Sequence, residues 1–194
     1  MTEFLKPKTG LAGFWDRLTG PGATASENTL IVVSSVVGAT GATIPFILAG
    51  SPLTKLVIAA LLGFDLIGGA VANATNTTKA WYHRPGVGLA QHLGFLAPHL
   101  IHIFFVAWLF RAQSFDVGYM LVVGSALLFS GLIVILSPRF LKRPVAAALY
   151  LVAIVIALYV TGLTAGLEWF VPALFLKLLI GHLVPEVIPV RDAL

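Results

Sequence analysis

Residues 52–76 read PLTKLVIAALLGFDLIGGAVANATN. The stretch is long enough to cross a bilayer, because about 20 consecutive apolar residues suffice for a membrane-spanning helix. An aspartate, Asp65, lies near its middle, and a charged group that faced lipid tails would cost on the order of 3 kcal/mol. The stretch therefore predicts a membrane helix whose polar side turns toward other helices or toward a hydrated cavity.

The rest of the chain has the same character. Of its 194 residues 58% are hydrophobic and 10% charged, whereas soluble domains carry about 25% charged residues. We therefore expect an all-α fold, a polytopic integral membrane bundle of six transmembrane helices. This domain is expected over residues 28–194, with spans at about 29–49, 52–76, 87–110, 115–136, 144–163 and 167–187.

The composition also excludes several classes of site. The chain has no cysteine, so disulfides, thiolate metal sites and cysteine nucleophiles are excluded. The net charge of +4 does not indicate nucleic-acid binding, because the basic residues are spread over loops between apolar runs. No apolar core typical of a cleavable signal peptide precedes the first span, which is expected to serve as the insertion signal.

Residues 1–27 are expected to form a cytoplasmic or interfacial segment. Its apolar residues recur at the spacing of a helix that lies on a membrane: Leu11, Phe14, Trp15 and Leu18. A loosely ordered tail is the alternative. In the span that follows, Asn28 is expected to be the N-cap. The small residues of this span favour close helix packing, which predicts a central position in the bundle.

The loop charges indicate the orientation. With six spans, nine of the twelve Lys and Arg residues fall on the side of the two termini. Only Lys55 and Arg111 fall on the other side, and Lys177 lies within span 6. Cytoplasmic loops of membrane proteins carry an excess of Lys and Arg. Both termini are therefore expected in the cytoplasm, and the protein in the inner cell membrane as a multi-pass protein.

Ionisable residues inside a membrane usually serve a function. Here they concentrate in spans 2, 3 and 6, as Asp65, Asn73, His92, His99, His102, Lys177, His182 and Glu186. Helical geometry predicts that Asp65, Asn73 and Asn76 share one face of span 2. The three histidines of span 3 are predicted to share another face, although Pro98 is expected to bend that helix. His182 and Glu186, four residues apart, are predicted to lie together on span 6.

These faces are expected to enclose one site that opens toward the cytoplasm. Asp65 and Glu186 are the expected catalytic acid–base groups. The expected metal ligands are His92, His99, His102 and His182, which suit zinc or iron, and a haem held by His99 and His182 is a variant. The same residues could instead form a proton relay or only polar links between helices.

Other polar residues are expected to bind substrate. The loop between spans 2 and 3 can form a basic lip that attracts an anionic group, or an ordinary aromatic belt. The full expected set is Asn73, Asn76, Lys79, His83, Arg84 and Lys177. Lys177 is also expected to pair with a carboxylate such as Asp65, and a retinal Schiff base is a further variant. Arg111, Asp116 and Glu168 are assigned to interfacial anchors outside the site.

Three functions agree with this pattern. The first is a metal- or haem-dependent enzyme that acts on a lipid-soluble substrate. The second is a proton-coupled transporter or channel for a small molecule, and the third is a non-catalytic scaffold or accessory subunit. The expected partners are the lipid bilayer and a lipid-soluble or small-molecule substrate, without nucleic acid, and association into an oligomer is left open.

Overall fold

The computed structural model describes residues 5–111 and 114–186, and within these ranges the chain forms helices and no strands. The all-α prediction is confirmed. The α-helices are α1 (Gly10–Thr19), α2 (Ala25–Leu48), α3 (Leu53–Ala74), α4 (Asn76–Tyr82), α5 (Leu89–Leu96), α6 (Leu100–Leu109), α7 (Val117–Leu136), α8 (Lys142–Val155) and α9 (Phe170–Phe175). 3₁₀ turns lie at Ala97–His99 and Arg139–Leu141, and π-helical segments at Ile156–Val160 and Leu176–His182.

Five helical stretches in the described part are long and apolar enough to cross a membrane. They are Ala25–Leu48, Leu53–Ala74, Leu89–Leu109, Val117–Leu136 and Arg139–Val160. The sixth expected span is shorter: α9 continues into the π-helical segment, and together they form the last helix, Phe170–His182. The expected helix therefore ends at His182 rather than at 187.

The last helix, and not the first span, is the centre of the bundle. All its residues except Pro172, Leu176 and Ile180 are buried. Span 1 was expected to be central, but α2 is peripheral, since large side chains such as Val33, Val37 and Ile47 are more than half exposed. The prediction failed because small residues show how closely two helices approach, not how many neighbours a helix has.

The small residues of α2 do make the expected close contact, with α3. A Cβ added to Gly38 would lie 2.4 Å from the Gly63 carbonyl oxygen, and one added to Gly63 would lie 2.2 Å from that of Gly38. Ser35 packs in the same way against Gly68. The two backbones touch at this crossing, as small residues permit in membrane helices.

The amphipathic N-terminal helix is confirmed. In α1 the side chains of Leu11 and Phe14 are 89% and 61% exposed, while Asp16 is buried and accepts a hydrogen bond from the Lys8 amide. An outward apolar face and an inward polar one suit a helix that lies at a membrane surface.

Asn28 does not cap α2 as expected. Thr24 is the N-cap, in a capping box with Glu27, while the Asn28 side-chain oxygen accepts a hydrogen bond from the Trp15 indole.

The last helix ends inside the protein, and Lys79 of α4 and His83 just after α4 satisfy carbonyl groups at and just beyond its end. The final carbonyls of a helix have no partner within it. Lys79 donates to the oxygens of Gly181 at 2.9 Å and Val184 at 2.7 Å. His83 Nε2 donates to the oxygen of His182 at 2.8 Å. The cationic Lys79 also suits the negative end of the helix dipole.

Gly38→Ala is expected to destabilise the protein by about 1–3 kcal/mol, because the new methyl group meets the Gly63 backbone. The matched control is Gly41→Ala on the same helix, where no atom lies within 4 Å of the added Cβ. That change is expected to be neutral or to stabilise by up to about 1 kcal/mol. Unfolding of the purified proteins in mixed micelles measures both, and equal effects would contradict the proposed α2–α3 contact.

Candidate functional site: the Asp65–Lys177 centre

An ion pair between α3 and the last helix forms the centre of the site. Lys177 Nζ lies 2.5 Å from Asp65 Oδ2, which confirms the expected pairing of Lys177 with a carboxylate. The Lys177 side chain is only 4% exposed. A buried ammonium is costly unless it is paired, so the carboxylate is needed for Lys177 to lie where it does.

Two features of α3 guide Lys177 to Asp65. Gly69 lies one turn after Asp65, and a Cβ there would be 2.5 Å from Lys177 Cε and 2.8 Å from Nζ. The missing side chain gives the lysine its path along the helix. Asn73, one further turn on, donates from Nδ2 to the Lys177 carbonyl oxygen at 3.2 Å. Asn73 thus holds the π-helical segment that carries the lysine, and such segments are frequent at functional sites.

Two of the histidines from the expected site join this centre. Pro98 interrupts the helix as predicted, and the 3₁₀ turn places His99 beside His102, their rings stacked with centroids 5.1 Å apart. His102 Nε2 lies 3.0 Å and His99 Nε2 3.9 Å from Asp65 Oδ2. His99 Nδ1 donates to the Phe95 carbonyl, so a neutral His99 keeps Nε2 unprotonated.

Asp65 is the accessible member of the group. Its side chain is 44% exposed, against 9% for His99 and 18% for His102. Within the described ranges, all three nitrogen contacts of the carboxylate are made to Oδ2. No hydrogen bond to Oδ1 is found among the described residues, so this oxygen is the one open to a further contact.

Two clefts meet at Asp65. One, of about 170 Å³, is the Tyr82 cleft, whose mostly apolar lining includes Trp15, Phe64, Tyr82 and Phe95, with Asp65, His99 and Lys177. The other, of about 230 Å³, is the Phe105 cleft, lined by Ile58, Leu61, Leu62, Phe64, Asp65, Ile101, His102 and Phe105. Asp65 and Phe64 belong to both walls, so the carboxylate lies at the boundary between the clefts.

The remaining histidines form a second cluster. His92 Nδ1 and His182 Nε2 lie 3.2 Å apart, and the His83 ring is 5.2 Å from that of His92. The expectation that His92 shares one site with His99 and His102 is not met. The Phe95 ring separates the two groups, since it stacks on His182 at 3.9 Å and packs on His99 at 5.3 Å.

Several expected site residues lie elsewhere. Asn76 is not on the face of Asp65, because α3 ends at Ala74 and Thr75 caps α4 through the amide of Thr78. Glu186 does not share a helical face with His182, because it lies beyond the end of the last helix and is exposed. Arg84 stacks on Trp81, 3.5 Å from the ring centre, and is not among the residues lining either cleft at Asp65.

Two neighbouring side chains at the end of α4, Tyr82 and His83, are uncharged at pH 7 because they are buried. Burial lowers the pKa of His83 to about 4, so the ring is neutral at pH 7 and its Nε2 carries the donated proton. Burial raises the pKa of Tyr82 to about 12, and its hydroxyl donates to the Arg17 carbonyl at 3.0 Å. Tyr82, whose hydroxyl is bound in this way, offers the face of its ring to the cleft.

The opposite end of the bundle carries an unrelated polar clamp. Arg111 pairs with Asp116 at 2.8 Å and donates to Thr164 Oγ1 at 2.9 Å. Its hydrogen bond lowers the pKa of Asp116, which also caps α7 through the Tyr119 amide. These residues tie two loops together, in keeping with their assignment outside the site.

The donor groups do not fit a metal ion or a haem as arranged. Zinc and iron need three or more converging ligands, and the described residues contain no such group. The Lys177 ammonium contacts the Asp65 oxygen that would be the central ligand. The expected haem pair, His99 and His182, is separated by the Phe95 ring.

The aromatic walls of the Tyr82 cleft were missed in the sequence. Trp15 was assigned to an interfacial helix, and Tyr82 belonged to the expected basic lip or aromatic belt. Both line the cleft that ends at Asp65. Phe95 carried a usable signal, because it lies one helical turn from His92 and from His99.

Comparison with protein-family models, curated proteins and solved structures finds no match to this chain.

Asp65→Asn is expected to destabilise the protein by about 3 kcal/mol, because it leaves the buried Lys177 ammonium without a counter-charge. The double change Asp65→Asn with Lys177→Met is expected to recover most of that loss. As a control, Asp116→Asn breaks the outer Arg111 pair and should cost less than about 1 kcal/mol. Unfolding in micelles measures these three variants and the single Lys177→Met variant, and a double variant that loses as much as the two single changes together would argue against the pair.

Stability is expected to fall as the pH drops from 6.5 toward 4, partly because of His83. Its pKa is about 4 in the folded chain and about 6.5 when unfolded, so over this range the unfolded state binds more protons. His83→Gln should therefore reduce the slope of unfolding free energy against pH. An unchanged slope would show that His83 is not held neutral by burial.

Proposed function

We propose that this protein is a proton-coupled transporter of a small, largely apolar molecule, and that Asp65 exchanges the proton. One observation carries the proposal: the half-exposed Asp65 carboxylate lies where the Tyr82 cleft and the Phe105 cleft meet. A transport site must be reachable from both sides of the membrane in turn. A carboxylate shared by two clefts meets that requirement better than one at the end of a single pocket.

The two clefts extend toward opposite ends of the bundle. The Tyr82 cleft follows α3 from Phe64 to Asn73 and ends near α1. The Phe105 cleft follows the same helix the other way, from Asp65 to Ile58, alongside α6. The Phe64 side chain lies between them at the level of Asp65, where its rotation would open one path or the other.

The charges of the centre suit proton exchange. Lys177 and Asp65 neutralise one another, and two imidazoles, His99 and His102, lie beside the carboxylate. A ligand at Oδ1 would change the field at three nitrogen groups within 4 Å of Oδ2. Binding and protonation are therefore coupled through one carboxylate.

The proposed topology has six spans, with both termini in the cytoplasm. The proposed location is the inner cell membrane. The last helix serves as the sixth span although it is short, because non-helical backbone at membrane depth is tolerated where protein surrounds it. The excess of loop Lys and Arg on the side of α1 and α4 supports this orientation. The Tyr82 cleft then opens toward the cytoplasmic half.

An enzyme that acts on a lipid-soluble substrate is the second candidate. It is favoured by the buried Nδ1 atoms of His102 and His182, which have no hydrogen-bond partner among the described residues. Such nitrogens can bind a metal ion after a rearrangement. Elemental analysis and the visible spectrum of the purified protein separate the candidates, since a metal or haem at one per chain would favour the enzyme.

Transport is tested in proteoliposomes that contain an internal pH-sensitive dye. Amphipathic probes of positive, negative and zero charge are added under an imposed pH gradient, and at least one is expected to move protons across the membrane. Asp65→Asn should abolish this movement, whereas Asp116→Asn should retain it. Proton movement that survives Asp65→Asn, or a response to none of the three probes, would contradict the proposal.

A further inference from the structure

We infer that the transported molecule is a lipophilic organic cation, such as a quaternary ammonium with an aromatic group, and that it exchanges against a proton. This inference rests on the proposed function and names the substrate class of the same site. The observation behind it is that the Asp65 side chain is far more exposed than the Lys177, His99 and His102 side chains that contact it.

The order of exposure selects the charge of the ligand. The Asp65 side chain is 44% exposed, whereas that of Lys177 is 4% exposed. A molecule in the Tyr82 cleft therefore meets a carboxylate before it meets an ammonium. An anion would have to displace Asp65 to reach Lys177, but a cation can contact the free Oδ1 directly.

The walls of the Tyr82 cleft select the shape. Four aromatic side chains, Trp15, Phe64, Tyr82 and Phe95, line it. Trp15 and Tyr82 use their polar atoms elsewhere, on Asn28 and on the Arg17 carbonyl, so they offer ring surface to the cleft. Aromatic faces attract cations through their quadrupole, and groups of such rings bind quaternary ammonium ligands.

The same contacts explain the exchange. When a cation reaches Oδ1, the carboxylate has two positive partners, the cation and the Lys177 ammonium. Release of one proton makes the net charge of the site zero again. The groups that face Asp65 are Lys177 from the last helix and His99 and His102 from the turn and helix before Phe105. α1 and α2 contribute only uncharged side chains to the cleft, and Tyr82 lies at its far end. The bond that breaks is one N–H bond of the Lys177 ammonium, and its proton passes to water as the cation binds; no other covalent bond changes.

The test is calorimetric titration of the protein in phosphatidylcholine nanodiscs. Two permanently charged probes are compared, benzyltrimethylammonium and benzylsulfonate, which differ in the sign of their charge. The cation is expected to bind and the anion not. Repeating the titration in buffers of different ionisation enthalpy should give about one proton released per cation, and affinity should rise about tenfold per pH unit.

Variants assign the effect to the centre. Asp65→Asn should weaken cation binding at least tenfold. The double variant Asp65→Asn with Lys177→Met has no unpaired buried charge, so it serves as the test if the single variant is poorly folded, and it should also fail to bind. Asp116→Asn should bind as the wild type does. Binding of benzylsulfonate instead of the cation, binding of neither probe, or cation binding without proton release would overturn the inference.

The two proposals fail differently. Cation binding with proton release but no flux in proteoliposomes would support the ligand class and contradict transport. Proton-coupled flux confined to the anionic or neutral probe would support transport and contradict the cation.

Discussion

A buried ammonium in the central helix is the constraint on which the rest of the structure depends. Lys177 is 3% exposed and lies in a helix that is surrounded by protein. Such a charge needs a partner within reach, and among the described residues Asp65 on the facing helix α3 supplies it. Asp65 therefore has to be at that height on α3, and Gly69 has to lack a side chain for the lysine to reach it. The close α2–α3 crossing at Gly38 and Gly63 lies on the same helix and leaves α3 little freedom to shift.

The shortness of the last helix has a second consequence. Because its end is inside the protein, its carbonyl groups need donors from elsewhere, and Lys79 and His83 supply them. This fixes α4 against the bundle, and α4 in turn positions Tyr82. Thr78 and Tyr82 then hold α1 through the carbonyls of Thr19 and Arg17. The wall of the Tyr82 cleft is thus built from the contacts that complete a helix end, and these contacts give Lys79 and His83 a structural role.

The sequence predicts much of the helical framework, because apolar length and helical spacing are local properties. The amphipathic α1, the interruption at Pro98 and the pairing of Lys177 with a carboxylate all follow from such local or single-charge arguments. The predictions that failed depended on the rotational phase of each helix and on which elements pack against it. The Thr75 cap separates Asn76 from α3, and the last helix ends at His182, before Glu186. Phe95 packs on His99 and stacks on His182, the partner of His92, and so lies between the two histidine groups. An ideal helical wheel carries no information on such breaks.

The placement of Asp65 distinguishes this ion pair from one that only joins two helices. A purely structural pair gains most when both partners are buried and all their lone pairs are satisfied, since partly satisfied polar networks are costly in a low dielectric. Here one partner is buried and the other is half exposed, with its contacts confined to one oxygen. The buried lysine, held by the Asn73 bond to its carbonyl and by the gap at Gly69, keeps the carboxylate charged and oriented. The exposed oxygen is then available at the boundary between two clefts, and any charge placed there acts on Lys177, His99 and His102 at once. In the proposed transporter, stability and proton exchange would draw on the same carboxylate, which would account for a costly buried charge at the centre of so small a bundle.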